Sequence, residues 1–141
     1  MVDAKAEKKN NTTATIQMAQ TSTMLVRMIR ANHPVDVTGL LGTTIESEGR
    51  TLQTVTILAK YVYRDLKPGY GLNKIIVVCI PNGQLQDRYN PDTKHTIWLA
   101  GRDAPTLGED FRVRVNLKRL KRIADWRVRE IMCESPARSI P

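Results

Sequence analysis

The segment Phe111-Arg-Val-Arg-Val-Asn-Leu117 alternates apolar and polar residues without interruption. A β-strand points successive side chains to opposite faces of its sheet, so the alternation predicts a strand with one buried and one outward face. The four apolar positions would enter a core, while Arg112 and Arg114 would face outward. Such a strand requires a sheet with one solvated side, which is typical of antiparallel β proteins.

Further strand signals follow at short spacing and are separated by turn residues. The β-branched residues Thr, Val and Ile, which favour strands, form about a quarter of the chain. The clearest runs are Met24–Ile29, Val35–Glu46, Gln53–Arg64, Lys74–Ile80 and His95–Ala100. No alternation of strands with long helical windows is visible. We therefore predict a mainly β, single-domain antiparallel sandwich of jelly-roll type, or a barrel.

The run Gln53–Arg64 has two chemically different faces. One face is polar except for Leu58 and Val62, which makes the strand half-buried or covered on both sides. We expect the other face to pack in the core, and it carries Val55, Ile57, Ala59, Tyr61 and Tyr63.

Residues 118–132 are compatible with two structures. Leu117, Leu120 and Ala124 fit the stripe of one short C-terminal helix, whereas Val128 and Met132 also fit a strand paired back on the sheet. For the chain as a whole we predict a flexible polar arm over 1–22, a β-rich globular domain over 23–133 and an irregular tail over 134–141.

The positive charge is concentrated in one segment. The chain carries +8, and residues 112–129 carry +7 of it, because Asp125 offsets one of eight cations. Cations on the outward side of a strand and its continuation can follow nucleic-acid phosphates. An exposed edge strand protected by charge is the alternative explanation. We predict that this segment contacts phosphates with little dependence on base sequence, because aromatic residues are scarce. The predicted contact residues are Arg112, Arg114, Lys118, Arg119, Lys121, Arg122, Arg127 and Arg129.

Catalytic and metal-binding patterns are weak. Cys79 and Cys133 lack metal-ligand spacing, and Cys79 lies in an apolar run that predicts a small buried side chain. His33 and His95 have no nucleophile frame and are predicted to lie on the surface. We therefore interpret the chain as a non-enzyme without cofactor or metal.

An enzyme remains a competing interpretation. Asp103, Glu109 and Asp110 surround a loop and are candidate ligands of a divalent ion in a metal-dependent nuclease. No second set of ligands with defined spacing supports that assignment.

The basic segment, the compact strands and the polar N-terminal arm together resemble small viral coat proteins in general organisation over residues 23–133. The resemblance implies a self-assembling structural protein that binds RNA or single-stranded DNA and forms a homo-oligomer or shell. A viral matrix protein on an anionic membrane and an OB-like single-strand binder are the alternatives. The sequence shows no secretory signal or membrane span, so we expect a virion or the host cytoplasm or nucleus.

Overall fold

The structure is a computed structural model that describes residues 2–7, 12–17, 20–22, 24–30, 32–67, 69–100 and 112–133. The mainly β prediction is confirmed. The strands are β1 (Val2–Glu7), β2 (Thr13–Gln17), β3 (Leu25–Arg30), β4 (His33–Thr38), β5 (Thr44–Ser47), β6 (Arg50–Gln53), β7 (Thr56–Asp65), β8 (Tyr70–Ile80), β9 (Trp98–Ala100), β10 (Arg112–Asn116) and β11 (Val128–Met132). The helices are α1 (Gln86–Tyr89) and α2 (Leu117–Ile123), with 3-10 turns at Gly83–Leu85 and Asp125–Arg127.

Two larger sheets and two hairpins organise these strands. The four-stranded sheet has the order β1-β7-β8-β11, and the three-stranded sheet has the order β2-β10-β9. The pairs β3–β4 and β5–β6 form separate hairpins. Pairing within the sheets is antiparallel except for β1, which runs parallel to β7. Glu48 and Gly49 connect β5 to β6 with φ values of 51° and 71°, the geometry of a tight hairpin turn.

One hydrophobic core joins the two larger sheets and α2. Both sheets contribute fully buried side chains, among them Ile16, Leu58, Val78, Trp98 and Val115. Leu117 and Leu120 bring α2 onto the same core. Burial of these side chains, at about 25 cal/mol per Å² of apolar surface, is the main source of stability.

The buried side of β7 is the opposite of the one expected from its sequence. Thr56, Leu58, Lys60 and Val62 face the core, and Lys60 is fully buried. Tyr61 and Tyr63, which we expected in the core, lie half-buried on the opposite face of β7. Val55, which precedes the strand, is 49% exposed. Cys79 is likewise half-buried, not buried. The inversion has a physical reason: the lysine stem packs among apolar residues, while its ammonium group donates to the carbonyl oxygen of Thr13 at 2.7 Å.

The N-terminal region contains strands where we expected a flexible arm. Val2–Glu7 pairs with β7, and Thr13–Gln17 pairs with β10 in the core-forming sheet. Alternating Ala14 and Ile16 are buried, so even a polar-looking segment supplies an apolar face. The boundaries predicted at 22 and 133 stay a prediction. The tail 134–141 lies outside the described residues.

The ambiguous C-terminal segment contains both predicted structures in succession. Residues 117–123 form α2, and 128–132 form a strand on β8. Ala124 ends the helix in an extended conformation, and the 3-10 turn reverses the chain. Across the described part of the chain, no helix is long and apolar enough to span a bilayer.

Candidate nucleic-acid interface

Strand β10 has the two faces that its sequence predicts. Val113 and Val115 are fully buried, and their β-branched side chains suit a packed strand. Arg112 and Arg114 occupy the opposite positions, in register with Gln17 and Thr15 of β2. We call this outward surface of β10 and β2 the β10 face. The side chain of Arg114 is half-buried there, opposite Thr15.

Helix α2 continues directly from β10 and holds three further cations outward. The side-chain oxygen of Asn116 accepts the Arg119 backbone N–H at 3.0 Å and so caps the first turn. Lys118, Lys121 and Arg122 are exposed. The last two lie in the final turn of the helix, where the helix dipole favours positive charge.

A cavity of about 270 Å³ lies between α2 and the buried side of the four-stranded sheet. Its rim carries Lys118 and Lys121, and its wall carries Lys74 with Glu130. Lys74 Nζ lies 2.7 Å from a Glu130 carboxylate oxygen, so this lysine is neutralised within the protein. The two helix lysines make the rim basic.

Two of the predicted phosphate-binding arginines form part of the framework. Arg119 donates from Nη1 to the carbonyl oxygen of Thr96 at 2.7 Å. Arg127 is 7% exposed, and its Nε donates to the Tyr89 hydroxyl at 2.8 Å. Its guanidinium carbon lies 4.3 Å from the centre of the Trp126 ring, a cation–π contact. These contacts occupy both guanidinium groups.

The remaining cations do not form one stripe. Arg129 is exposed on β11, in register with Val77, and shares the carboxylate of Asp125 with Lys121 of α2. Asp125 lies 3.8 Å from Lys121 and 3.9 Å from Arg129, which lowers the positive potential between them. We call the exposed cations Lys118, Lys121 and Arg122 the α2 rim. The structure separates this rim and the β10 face from Arg119 and Arg127, which have partners in the framework.

His95 lies on the surface, as predicted, and organises the loop before β9. Its side chain and its backbone N–H both bond the Asp92 carboxylate, at 2.8 to 2.9 Å. The bond from the His95 ring is the largest cause of a lowered Asp92 pKa, about 2, and the backbone N–H groups of His95 and Lys94 add to it. The side chain of His33 and the acids Asp103, Glu109 and Asp110 lie outside the described residues.

Strand β1 contains charged positions that the sequence analysis assigned to a mobile arm. Asp3, Lys5 and Glu7 alternate along it, in register with Leu58, Lys60 and Val62 of β7. Alternate positions share one face. The pattern acid-x-lysine-x-acid is visible in the sequence, but it indicates a shared face only when the segment forms a strand.

The described residues do not make up a metal site. They contain no group of three or more His, Cys, Asp or Glu side chains placed to hold one ion. Asp3 and Glu7 are four positions apart in an extended strand, roughly 13 Å, which is too far for one ion.

Comparison with known proteins identifies relatives among restriction enzymes. The family model described as Type II restriction enzyme SfiI matches residues 1–131. The Type II restriction enzyme SfiI of Streptomyces fimbriatus is 38% identical over 82 residues, which are 55% of this chain and 30% of that protein.

Two solved structures share the fold. The tetrameric restriction endonuclease SfiI bound to cognate DNA has a TM-score of 0.80 at 30% identity and covers 96% of this chain and 54% of that chain. The restriction endonuclease BglI bound to its DNA recognition sequence has a TM-score of 0.72 at 20% identity, with coverage of 95% and 52%. The chain thus spans about half the length of these two chains.

These matches correct several predictions. The resemblance to viral coat proteins was wrong, because the matched family consists of restriction enzymes. The predicted capsid, matrix and OB-like functions were therefore wrong as well. The virion as location, and RNA and a membrane as partners, have no support from these matches. The interpretation as a non-enzyme was also wrong.

Proposed function

Because the chain belongs to the Type II restriction enzyme SfiI family, we propose that it binds a specific sequence of duplex DNA and takes part in hydrolysing it. The family match over residues 1–131 supports the enzyme class, and the bound DNA of two structural neighbours supports the substrate class. The chain spans about half the length of those neighbours, so the activity of the whole enzymes is part of this proposal.

The observation that carries the DNA-binding proposal is the pair of arginine positions on β10. Arg112 and Arg114 are two residues apart, about 6.6 Å along an extended strand, and lie on the outward side of a sheet whose other side is the core. The major groove of B-form DNA admits a two-stranded β-ribbon. An arginine held there can donate two hydrogen bonds to a guanine edge. We propose that the β10 face reads bases.

The α2 rim is suited to the DNA backbone. Lys118, Lys121 and Arg122 are exposed on a short helix that is continuous with β10. Their amino and guanidinium groups supply charge without base information, which is what phosphate contacts require. In this proposal the helix fixes the position of the DNA, while the strand distinguishes sequences.

Strand β1 provides the candidate groups for cleavage. A carboxylate and an ammonium group at neighbouring positions of one face can orient a nucleophile and offset the charge that develops on phosphate. Asp3 and Lys5 occupy such positions beside buried Lys60. A lone carboxylate does not complete a metal site, so we derive no metal-dependent step from this chain.

Binding of duplex oligonucleotides by fluorescence anisotropy tests the proposal. A pool with randomised sequence is selected on the purified chain, and the selected duplex is compared with a scrambled duplex of equal length. We expect at least tenfold tighter binding to the selected duplex, and a loss of that preference in Arg114→Ala. Arg129→Ala serves as the matched control and should keep the preference. Equal affinity for selected, scrambled and single-stranded DNA would overturn the proposal.

We also propose that the chain self-associates, because the SfiI neighbour is tetrameric. Light scattering coupled to size exclusion, with and without the selected duplex, measures it. A strictly monomeric chain in both conditions contradicts this part alone and leaves DNA binding unaffected.

A further inference from the structure

The cavity between α2 and the four-stranded sheet has the composition of a ligand site. We call it the α2 cavity. Its floor consists of the buried aliphatic side chains of Ile76, Leu117 and Val128, and its lining includes the exposed residue Thr12. Pockets for small molecules are mostly apolar and contain a few polar groups that fix the orientation of the ligand. At about 270 Å³, the α2 cavity suits a small molecule and excludes a duplex.

Regular secondary structure holds this lining in place. Ile76 and Val128 lie on the adjacent strands β8 and β11, and Leu117 begins α2. The backbone carbonyl of Thr12 accepts the Leu117 N–H at 2.9 Å, which joins the start of α2 to the residue before β2. The cavity is therefore pre-formed, so a ligand binds without the cost of ordering a loop.

The charged residues of the lining are three lysines and one glutamate, so their net charge is +2. Lys74 is 7% exposed, and its Nζ lies 2.7 Å from a carboxylate oxygen of Glu130. This pair is neutral as a whole, so the excess charge belongs to the exposed Lys118 and Lys121. These two are three positions apart in α2, which places them side by side on the helix. Asp125 lies 3.8 Å from Lys121 outside the lining, and solvent screens this exposed pair.

A phosphate monoester matches both the charge and the surface of this cavity. It carries a charge of about −1.5 to −2 at pH 7 and has three strong acceptor oxygens. Two ammonium groups and a hydroxyl group can therefore contact one phosphate, whereas a carboxylate supplies only one negative charge. We propose that the α2 cavity binds a small phosphate monoester, with its phosphate between Lys118 and Lys121 and its carbon skeleton on the aliphatic floor.

Occupancy of the cavity has a consequence for DNA binding. Lys118 and Lys121 also belong to the α2 rim, which we propose to contact DNA phosphates. A bound monoester neutralises both lysines and so lowers the affinity for duplex DNA. This consequence rests on the proposed function, but binding of the monoester itself is measured without DNA.

Isothermal titration calorimetry of the purified chain with phenyl phosphate tests the site, with the ionic strength held constant by sodium chloride. We expect saturation at one phenyl phosphate per chain. Inorganic phosphate should bind at least threefold more weakly, because it leaves the aliphatic floor uncovered. Benzoate should bind at least tenfold more weakly, because it carries a single charge. Equal affinity for inorganic phosphate would overturn the assignment to a monoester, and equal affinity for benzoate would overturn the assignment to a phosphate.

The two lysines at the opening are tested together. Lys118→Ala with Lys121→Ala should weaken phenyl phosphate binding at least tenfold. Arg50→Ala with Lys94→Ala is the matched control, since it also removes two exposed cations, neither of which lines the cavity. The control should leave the affinity within twofold of that of the unmodified chain. A lysine pair whose removal changed the affinity no more than the control does would overturn the site.

Two further substitutions distinguish the cavity from surface charge. Thr12→Phe keeps every charge and fills the opening, so it should abolish binding, whereas Thr51→Phe, at an exposed position of β6, should not. Glu130→Gln releases Lys74 towards the ligand and raises the net charge of the lining from +2 to +3, so it should tighten binding at least threefold. Circular dichroism and the unfolding midpoint check that each variant is folded.

Absence of phenyl phosphate binding by the unmodified chain overturns the proposal. Binding that Thr12→Phe leaves intact overturns it as well, because the ligand then lies on the surface. Unchanged or weaker binding in Glu130→Gln also contradicts the placement beside Lys74. If phenyl phosphate binds as expected and yet a saturating concentration leaves duplex binding unchanged, the proposed role of the α2 rim in DNA binding is wrong and the site stands.

Discussion

The ammonium group of Lys60 lies 2.7 Å from the carbonyl oxygen of Thr13, and Lys60 is fully buried. This hydrogen bond connects the middle of the four-stranded sheet to the first residue of β2 in the other sheet. A buried cation without such acceptors would be strongly destabilising. The pair therefore helps to fix the relative position of the two sheets.

Replacing Lys60 should destabilise the fold. Lys60→Met keeps much of the stem but leaves the Thr13 carbonyl unsatisfied, at a cost of about 2 kcal/mol in the free energy of unfolding. Lys60→Ala should cost more, because it also opens a cavity. Urea unfolding followed by circular dichroism measures both. Lys121→Met, at an exposed position, should change the value by less than about 0.5 kcal/mol; a similar loss at both sites would contradict the assignment.

Arg127 is expected to behave as a structural residue despite lying in the basic segment. Arg127→Ala removes the bonds to Tyr89 and Cys79 and the contact with Trp126, and should lower the free energy of unfolding by about 3 kcal/mol. Tyr89→Phe should lower it by about 1 kcal/mol, since only the hydroxyl acceptor is lost. Arg122→Ala is the exposed control. If Arg127→Ala weakened DNA binding with unchanged stability, the structural role would be wrong.

The α2 rim should govern the salt dependence of DNA binding. Lys118→Ala with Lys121→Ala removes two phosphate-directed charges, so the slope of log affinity against log salt should fall by about 2. The affinity should drop equally for selected and scrambled duplexes. Anisotropy titrations at several salt concentrations measure the slope, with Arg129→Ala as a control that leaves it nearly unchanged. A loss confined to the selected duplex would instead assign these lysines to base recognition.

The loop before β9 should hold its geometry in acid. The pKa of Asp92 is lowered from 3.8 to about 2 by the His95 and Lys94 hydrogen bonds. Because the folded value is lowered, the stabilisation is present above pH 3.8 and is lost as the pH falls towards 2. The carboxyl carbon resonance of Asp92, followed by NMR, should titrate near 2 in the native chain. A midpoint near 3.8 would show that these hydrogen bonds do not form in solution.

The sequence predicts some parts of this structure correctly and others not. The alternation of Phe111–Leu117 is sufficient to place Val113 and Val115 in the core, because period-two patterns leave one register. It also identifies Arg112 and Arg114 as outward positions. Charge counting could not separate Arg119 and Arg127 from the exposed cations, because their partners Thr96 and Tyr89 are distant in sequence.

The faces of β7 show a different limit. The sequence favours burial of Tyr61 and Tyr63, whereas the structure buries Lys60 and Leu58. Periodicity identifies two faces but not which partner reaches each of them. Strand β1 was missed for a related reason, since its pairing with β7 spans more than fifty residues and leaves only a weak local signal.

The pairing of β2 with β10 has a consequence for synthesis. Ile16 lies opposite Val113, so 97 positions of the chain separate two neighbours in the sheet. Strand β2 is synthesised before β10, and in the described sheet it has no partner until β10 emerges, since β9 pairs with β10 and not with β2. Strand pairs that are this distant in sequence form slowly. Until they form, the unpaired edge of the strand can pair with other chains. The emergence of β10 thus determines when β2 can join its sheet.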